Sequence, residues 1–420
     1  MLDKKWVREH PEVVREAARR KHLKVEVDAY LQADQAHREL LTRVETLRGE
    51  LKQASKKLGK MSPEERQLAL AEQKQTKASL KSLEAEESQL RQQVQELALL
   101  LPMPPSPEVP DGKDDRENVE LRRQGEVPEF PFPAKSHVEI GEALGILDIP
   151  RGVKLAGTRN YLLLGAAAQL EQAILRLAIE HMESRGFVLC SVPTLVNDAC
   201  MTGTGYFPGG EEQAYRCEKD QLNLVGTSEV SLTAIHSGEV LNPEDLPLRR
   251  IACSPCYRRE AGTYGKDTKG LYRVHQFWKV EQVVIGPNDE AWSKEEHLRM
   301  LAHATDFMDA LKLPYRVVNV CAGDLGQGQV QKFDIETWMP SRQGYGETHS
   351  ASRFHDFQTR RLNLRYRPEG GGKPEFCHSL NNTVVASPRI LIAVMENYQQ
   401  EDGRVKVPDV LQPHLQREFL

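Results

Sequence analysis

Long apolar runs are missing from this sequence. No stretch reaches the roughly 18 consecutive apolar residues that a membrane-crossing helix needs. The opening MLDKKWVREHPEVV carries charges where a secretory leader would have an apolar core. The expectation is therefore a cytoplasmic protein with no membrane partner. Cysteine is scarce as well: seven in 420 residues, an odd count at irregular spacing, which argues against a disulfide framework. Cys253-Ser-Pro-Cys256 is a lone CxxC, with no second pair and no nearby histidine pair to complete four ligands. No zinc is expected there, and two buried thiols are. An excess of one charge is absent too, since 56 Lys and Arg against 61 Asp and Glu leave a net charge of −5. A nucleic-acid partner would have to be met by a local basic surface.

Familiar phosphate and acyl-transfer signatures are also lacking. The G-x-x-x-x-G-K-[ST] loop fails because Gly265-Lys266 is followed by Asp267, and Glu260 stands where the earlier glycine should be. GTGYFPGG (203–210) looks like a dinucleotide loop only superficially, because no helical pattern begins after it. Neither H-E-x-x-H nor G-x-S-x-G occurs. A nucleotide, if handled at all, would be handled on an antiparallel sheet with arginines.

What is present begins with a heptad pattern. Leu40, Val44, Leu47, Leu51, Ala54 and Leu58 alternate by four and three, which is a coiled-coil seam. LGKMSPEE (58–65) interrupts it, with Ser62 placed as a helix N-cap and Pro63 in the first turn. A second seam runs through Leu80, Leu83, Leu90, Val94, Leu97 and Leu101, with Glu87 in one of its slots. Two heptad helices joined by so short a turn lie antiparallel. Lys52, Lys56, Lys57 and Lys60 collect near the tip. Such a hairpin suits a dimerisation coiled coil, or RNA phosphates at the basic tip.

Five prolines fall in the nine residues from Pro102 to Pro110, the mark of an extended linker. The domain reading is 1–101 helical, with the arm over about 28–101, then a linker at 102–115 and a second region of mixed helix and strand at 116–420. Beyond the linker a helix is expected over 161–186, a strand interrupted by Pro193 over 187–196, and a last helix over about 388–399. Further strands are expected around 221–226, 249–260, 273–285, 315–320 and 331–338. Strands in runs with separate helices suggest an α+β domain on a largely antiparallel sheet.

Three stretches of this region are chemically dense. YRREAGTYGKDTKGLYRVHQFWKVE (257–281) reads as two strands around a long polar loop, placed at 262–272. Strand alternation puts Arg258 and Glu260 on one face, and Arg273, His275, Phe277, Lys279 and Glu281 on one face of the returning strand. That face fits an anion-binding floor with a platform for a planar ring, or a salt-bridged outer surface. GYGETHSASRFHDFQTRRLNLRYR (344–367) reads as a polar loop before an Arg-rich strand, and its Glu347 and Ser350 could supply oxygens to Mg²⁺. In CHSLNNTVVASPRILIAVMENYQ (377–399), Ser387 and Pro388 look like an N-cap and first helical residue. Arg389 then sits in a first turn, where a cation makes sense if an anion lies beside it.

Taken together, these stretches resemble the three signature motifs of class II aminoacyl-tRNA synthetases, and specifically the seryl-tRNA synthetase family of bacterial type. The helix and strand ending at Pro193 resemble motif 1, 257–283 motif 2 and 380–399 motif 3. NLVGTSEVSL (223–232), YGETHSAS (345–352) and DGRVKVPDVLQPHL (402–415) extend the match over essentially the whole chain. The resemblance implies an antiparallel-sheet class II catalytic domain behind a long antiparallel α-helical coiled-coil hairpin. It also implies activation of L-serine by ATP with Mg²⁺, then transfer to tRNA(Ser), and to tRNA(Sec) where one exists, gripped through Lys52, Lys56, Lys57 and Lys60. A homodimer is implied by motif 1.

By the same resemblance Thr227, Ser228, Glu229, Glu281 and Thr383 enclose serine. Arg258 holds the α-phosphate and the serine carboxylate, and Arg389 the γ-phosphate; these two are the catalytic pair. Arg259, Glu260, Val274, Phe277, Thr348 and His349 join them at ATP, and Glu347 and Ser350 also carry the metal. The pattern departs from the family at Asn381-Asn382-Thr383-Val384, where glycine and serine are common, and at His349 and Ala351. A silent tRNA-binding copy, or a ligase loading a carrier protein, are the other readings. The intact Arg258, Glu281, Glu347 and Arg389 oppose the first, and the long arm opposes the second.

Overall fold

The computed structural model describes residues 1–58, 61–262 and 269–420, so Lys60 and the middle of the 262–272 loop lie outside the described residues. The chain divides into two units: Met1–Arg19 with Leu23–Pro102, and Arg20–His22 with Met103–Leu420.

In the first unit two short helices, α1 (Lys4–Glu9) and α2 (Pro11–Arg20), precede the long α3 (Val27–Lys57) and α4 (Pro63–Leu100). Ser62 caps α4 in a reciprocal capping box with Glu65, so two N-terminal N–H groups that a helix leaves orphaned find partners. Along the seam Leu40, Val44 and Val94 are buried, while Leu51 and Leu58 nearer the tip are only half-buried. The polar slot at Glu87 is filled by a bond with His37 at 2.8 Å. Lys52, Lys56 and Lys57 are exposed.

The second unit is built on an eight-stranded sheet. Its strands are β1 (Val119–Gln124), β2 (Val188–Leu189), β3 (Leu248–Tyr257), β4 (Gln276–Gly286), β5 (Tyr315–Asn319), β6 (Gln331–Met339), β7 (Gly344–His355) and β8 (His378–Ala386). They lie in the order β1-β5-β6-β7-β8-β4-β3-β2. Neighbours are antiparallel except β2 and β3, which are parallel. Three helices, α5 (Ala166–Glu183), α6 (Glu290–Ala310) and α7 (Ser387–Asn397), pack with the sheet. Leu170, Ile174, Met300, Phe307, Ile390 and the β4 residues Val280 and Val284 share one buried core. Because β4 alternates, Phe277, Lys279 and Glu281 face away from that core.

Several expected elements differ in extent. Helix α5 starts at Ala166 because Gly165, at φ +49°, turns the chain. Pro193, which lacks the N–H a ladder needs, separates β2 from a second short strand at Leu195–Asn197. The stretch expected as a polar loop from 344 is the twelve-residue strand β7; its polar side chains find partners inside the sheet, so composition alone misled. The proline-rich segment after Pro102 packs on the second unit: Met103 N–H donates to Gln327 O at 3.0 Å and Ser106 N–H to Val330 O at 2.8 Å.

Candidate active site

Two adjoining cavities open on the face of β4 that carries Phe277, Lys279 and Glu281. Counted out to open solvent, the smaller spans about 500 Å³ and the larger about 940 Å³. Arg258, Lys279, Glu347, Ser350 and Thr383 line both. The outer-surface reading of this charged face is therefore corrected: Phe277, Lys279 and Glu281 are buried, and all three border a cavity.

Arg258 does not sit on a strand, as alternation suggested. Strand β3 ends at Tyr257, and Glu260 adopts φ +52°, so the chain turns before the loop. Backbone bonds hold Arg258 in place: its N–H donates to His275 O and its carbonyl pairs with His275 Nδ1, each at 2.9 Å. Its Nε donates to Gly226 O at 3.2 Å, and its guanidinium lies 5.3 Å from the centre of the Phe277 ring. Glu260 pairs with Arg273 at 2.7 Å. Glu260, Val274 and Phe277 line the smaller cavity, together with Thr348 and His349.

Arg389 lies in the first turn of α7 as expected, but Ser387 is not the N-cap. The cap position is Ala386 without a side-chain bond, and the Ser387 hydroxyl donates to Glu171 at 2.7 Å. Arg389 Nη1 donates to Glu347 O at 2.8 Å and ion-pairs with the Glu347 carboxylate at 3.3 Å, while Nε donates to Tyr272 O at 3.3 Å. Both Arg389 and Arg342 stack on Tyr272, at 4.6 and 4.1 Å from its ring centre. Gly346 leaves room for that ring: a Cβ there would lie 3.0 Å from it.

The larger cavity is lined by Thr227, Glu229, Glu281 and Thr383. Lys279 ion-pairs with Glu281 and donates to Thr227 Oγ1 at 2.6 Å. Thr383 Oγ1 donates to Glu281 at 3.4 Å. Glu229 accepts from Gln358 Nε2 at 2.7 Å and from Tyr206 OH at 2.9 Å. Burial, reinforced by the nearby Glu281 charge, pushes its carboxyl up to about 7.

His349 is kept neutral, its pKa pushed down to about 4 by burial. Its Nε2 donates to Val384 O at 3.0 Å, which leaves Nδ1 to accept from the Thr348 hydroxyl at 2.8 Å.

Two expected residues stand outside both cavities. The Ser228 hydroxyl bonds Ser254 at 2.7 Å, and the Arg259 N–H donates to Gln213 O at 2.9 Å. Others went unassigned in the sequence. Lys279 was visible on the inward face without a role, and Tyr206 lay in the GTGYFPGG stretch set aside above. Asp334 faces Ser350 across the β6–β7 ladder. It is buried, with Oδ1 unpartnered, and burial pushes its carboxyl up to about 7. Lys332 already ion-pairs with it at 3.5 Å. Among the described residues no group of three or more metal-ligating side chains stands together, so Glu347 and Ser350 would need phosphate oxygens to complete the shell of a hard cation. Cys253 and Cys256 lie three apart on β3, hence on opposite faces, and burial raises both thiols.

Residues 1–105 match the seryl-tRNA synthetase N-terminal domain, and residues 215–398 match the tRNA synthetase class II core domain (G, H, P, S and T). A serine–tRNA ligase of Deinococcus radiodurans is 45% identical over 99% of this chain and 97% of its own. The crystal structure of seryl-tRNA synthetase from Pyrococcus horikoshii complexed with ATP matches with a TM-score of 0.93 at 35% identity, covering 100% of this chain and 99% of that one. The cytoplasmic serine–tRNA ligase of Naegleria fowleri in complex with AMP gives a TM-score of 0.86 at 30% identity, over 97% and 95% of the two chains.

Proposed function

The chain belongs to the seryl-tRNA synthetase family of class II aminoacyl-tRNA synthetases, and on that premise we propose that the smaller cavity holds ATP and the larger one serine. The enzyme activates L-serine with ATP and charges tRNA(Ser). The observation that carries the assignment is the shared wall. Arg258 and Lys279 stand where an adenylate's phosphate would meet a serine carboxylate, with Arg389 on one side and the Glu281–Thr383 pair on the other.

In the first step a serine carboxylate oxygen bonds to the α-phosphorus, the bond to the bridging oxygen breaks, and pyrophosphate leaves. Arg258 faces the charge that builds on the α-phosphate oxygens, and Arg389 the γ-phosphate. Phe277 offers its ring to adenine beside Glu260 and Val274. In the second step a hydroxyl at the tRNA 3′ end takes the seryl carbonyl and AMP departs. No side chain needs to be a strong base; positioning and charge stabilisation do the chemistry. Mg²⁺, held by Glu347 and Ser350, would neutralise phosphate charge.

The basic tip at Lys52, Lys56 and Lys57 suits tRNA phosphates, with tRNA(Sec) as a further acceptor where one exists. A cytoplasmic homodimer completes the reading; among the described residues no helix is long and apolar enough to cross a membrane. Serine-dependent ATP–pyrophosphate exchange followed by tRNA charging tests the assignment. Exchange driven by another amino acid, or by none, would overturn it.

Two predictions follow from side chains around the cavities. Tyr272→Phe is expected to keep the KM for ATP, because the ring face that steadies Arg389 survives. Tyr272→Leu is expected to raise that KM by about 3–30-fold, the range of a cation–π contact, with the KM for serine unchanged in the exchange assay. Glu229 supplies a pH signature. Its carboxyl titrates at about 7, and only the ionised form can pair with the serine ammonium. The kcat/KM for serine is expected to fall roughly tenfold per pH unit below that value, and Glu229→Gln to flatten the profile. For stability the sign is opposite: this raised carboxyl contributes most below its usual 4.5, and the contribution is lost as pH rises to about 7.

A further inference from the structure

Gly326, Gln327, Gly328 and Gln329 form a wall of the larger cavity. Two glycines leave this wall few side chains to brace it, and Gly328 can be nothing larger, since a Cβ would lie 2.3 Å from Phe357. The turn is closed by Gln329, whose N–H donates to Gly326 O at 3.1 Å. Its side chain accepts from Gly326 N–H at 2.6 Å and donates to Ser352 Oγ at 2.7 Å.

Behind the wall sits Lys21, 2% exposed. Its ammonium donates to the carbonyls of Gly326 at 3.1 Å, Gln327 at 2.9 Å and Gln329 at 2.6 Å. An ammonium has three donors and no acceptor, so these three bonds use it completely. The lysine is itself fixed. Arg20–His22 belongs to the catalytic unit although the sequence on either side does not. Arg20 bonds Asp111 at 2.7 Å and Val109 O at 2.8 Å, and His22 packs so closely on Gly323 that a Cβ there would lie 2.7 Å away. Burying a lysine is costly, and here burial pulls its pKa well below the usual value. Its partners are three carbonyls of one four-residue turn, and that turn lines the larger cavity.

We propose that Lys21 is a positioning residue of the amino-acid pocket: by drawing three carbonyls to itself it fixes the wall that limits the size of the amino acid accepted. The proposal rests on reading the larger cavity as the serine site. Serine and threonine differ by one methyl group, and a pocket separates such a pair by only about 10–200-fold. A loosened wall would erode that margin before it affected ATP.

Lys21→Met keeps the stem and removes the ammonium. In ATP–pyrophosphate exchange with the full chain, its KM for serine is expected to rise about tenfold. The threonine-to-serine ratio of kcat/KM should rise by a similar factor, with the KM for ATP within about twofold of wild type. A lowered Tm with unchanged serine KM and unchanged ratio would make Lys21 a brace of the fold alone and overturn the proposal. So would an equal rise in both KM values. If Lys21→Met does not fold, Lys21→Gln, which keeps a donor but cannot reach three carbonyls at once, takes its place: the same split supports the proposal, and unaltered serine KM and ratio refute it. Failure of the serine reading itself would show separately, as absent serine-dependent exchange in the wild type.

Discussion

Arg258→Ala is expected to lower kcat for serine-dependent ATP–pyrophosphate exchange by about 10³, the loss that follows removal of a fixed donor from a developing oxyanion. The expectation rests on placement. Arg258 borders both cavities, and His275 grips its backbone from both sides. Its Nε is spent on Gly226 O, so the guanidinium does not have to find its position during the reaction. Arg258→Lys restores charge without the planar fork or that anchoring bond, and is expected to recover only part of the rate, remaining about 10–100-fold below wild type. A loss confined to KM, with kcat intact, would mean that Arg258 binds substrate equally in ground and transition states.

Glu281→Ala is expected to cost more on the serine side than any other change in the larger cavity. Its carboxylate meets the Thr383 hydroxyl and the Lys279 ammonium. A pocket that hydrogen-bonds a substrate hydroxyl depends on those partners, so kcat/KM for serine is expected to fall by about 10³ or more while the KM for ATP stays within about twofold. The substitution also strands Lys279, whose side chain is 6% exposed. Breaking a buried pair from one side costs about 3–5 kcal/mol, read as a lower Tm. The double variant Glu281→Ala/Lys279→Met removes both charges and is expected to regain most of the stability and none of the serine activity. Equal damage to serine and ATP binding would contradict this division of the site.

Which features were legible in the sequence follows from how local their causes are. The helical hairpin could be read because a heptad seam and the Ser62–Glu65 box act within a few residues. The site could be read as three motifs because each is a short contiguous stretch. Arg258 and Glu260 were misplaced on a strand because alternation says nothing of where a strand ends, and here the left-handed backbone at Glu260 ends it. Ser387 reads as a cap from Ser-Pro alone; its hydroxyl goes instead to Glu171, 216 residues away in sequence. Strand β7 was hidden by its polar composition, since Thr348 and His349 satisfy each other inside the sheet. Tyr206, Gln358 and Lys21 have no local signature at all. Their roles depend on partners that only the folded chain brings near, such as Glu229 for the first two and the 326–329 turn for the last.

The central claim is that the two cavities form one continuous site in which an adenylate and a serine share the wall at Arg258 and Lys279. A non-hydrolysable seryl-adenylate mimic, with a sulfamoyl link in place of the phosphate, tests it most directly in the exchange assay. The account predicts inhibition competitive with ATP and also competitive with serine, with both patterns lost together in Arg258→Ala. Competition with only one of the two substrates would place serine and ATP in separate sites and contradict it.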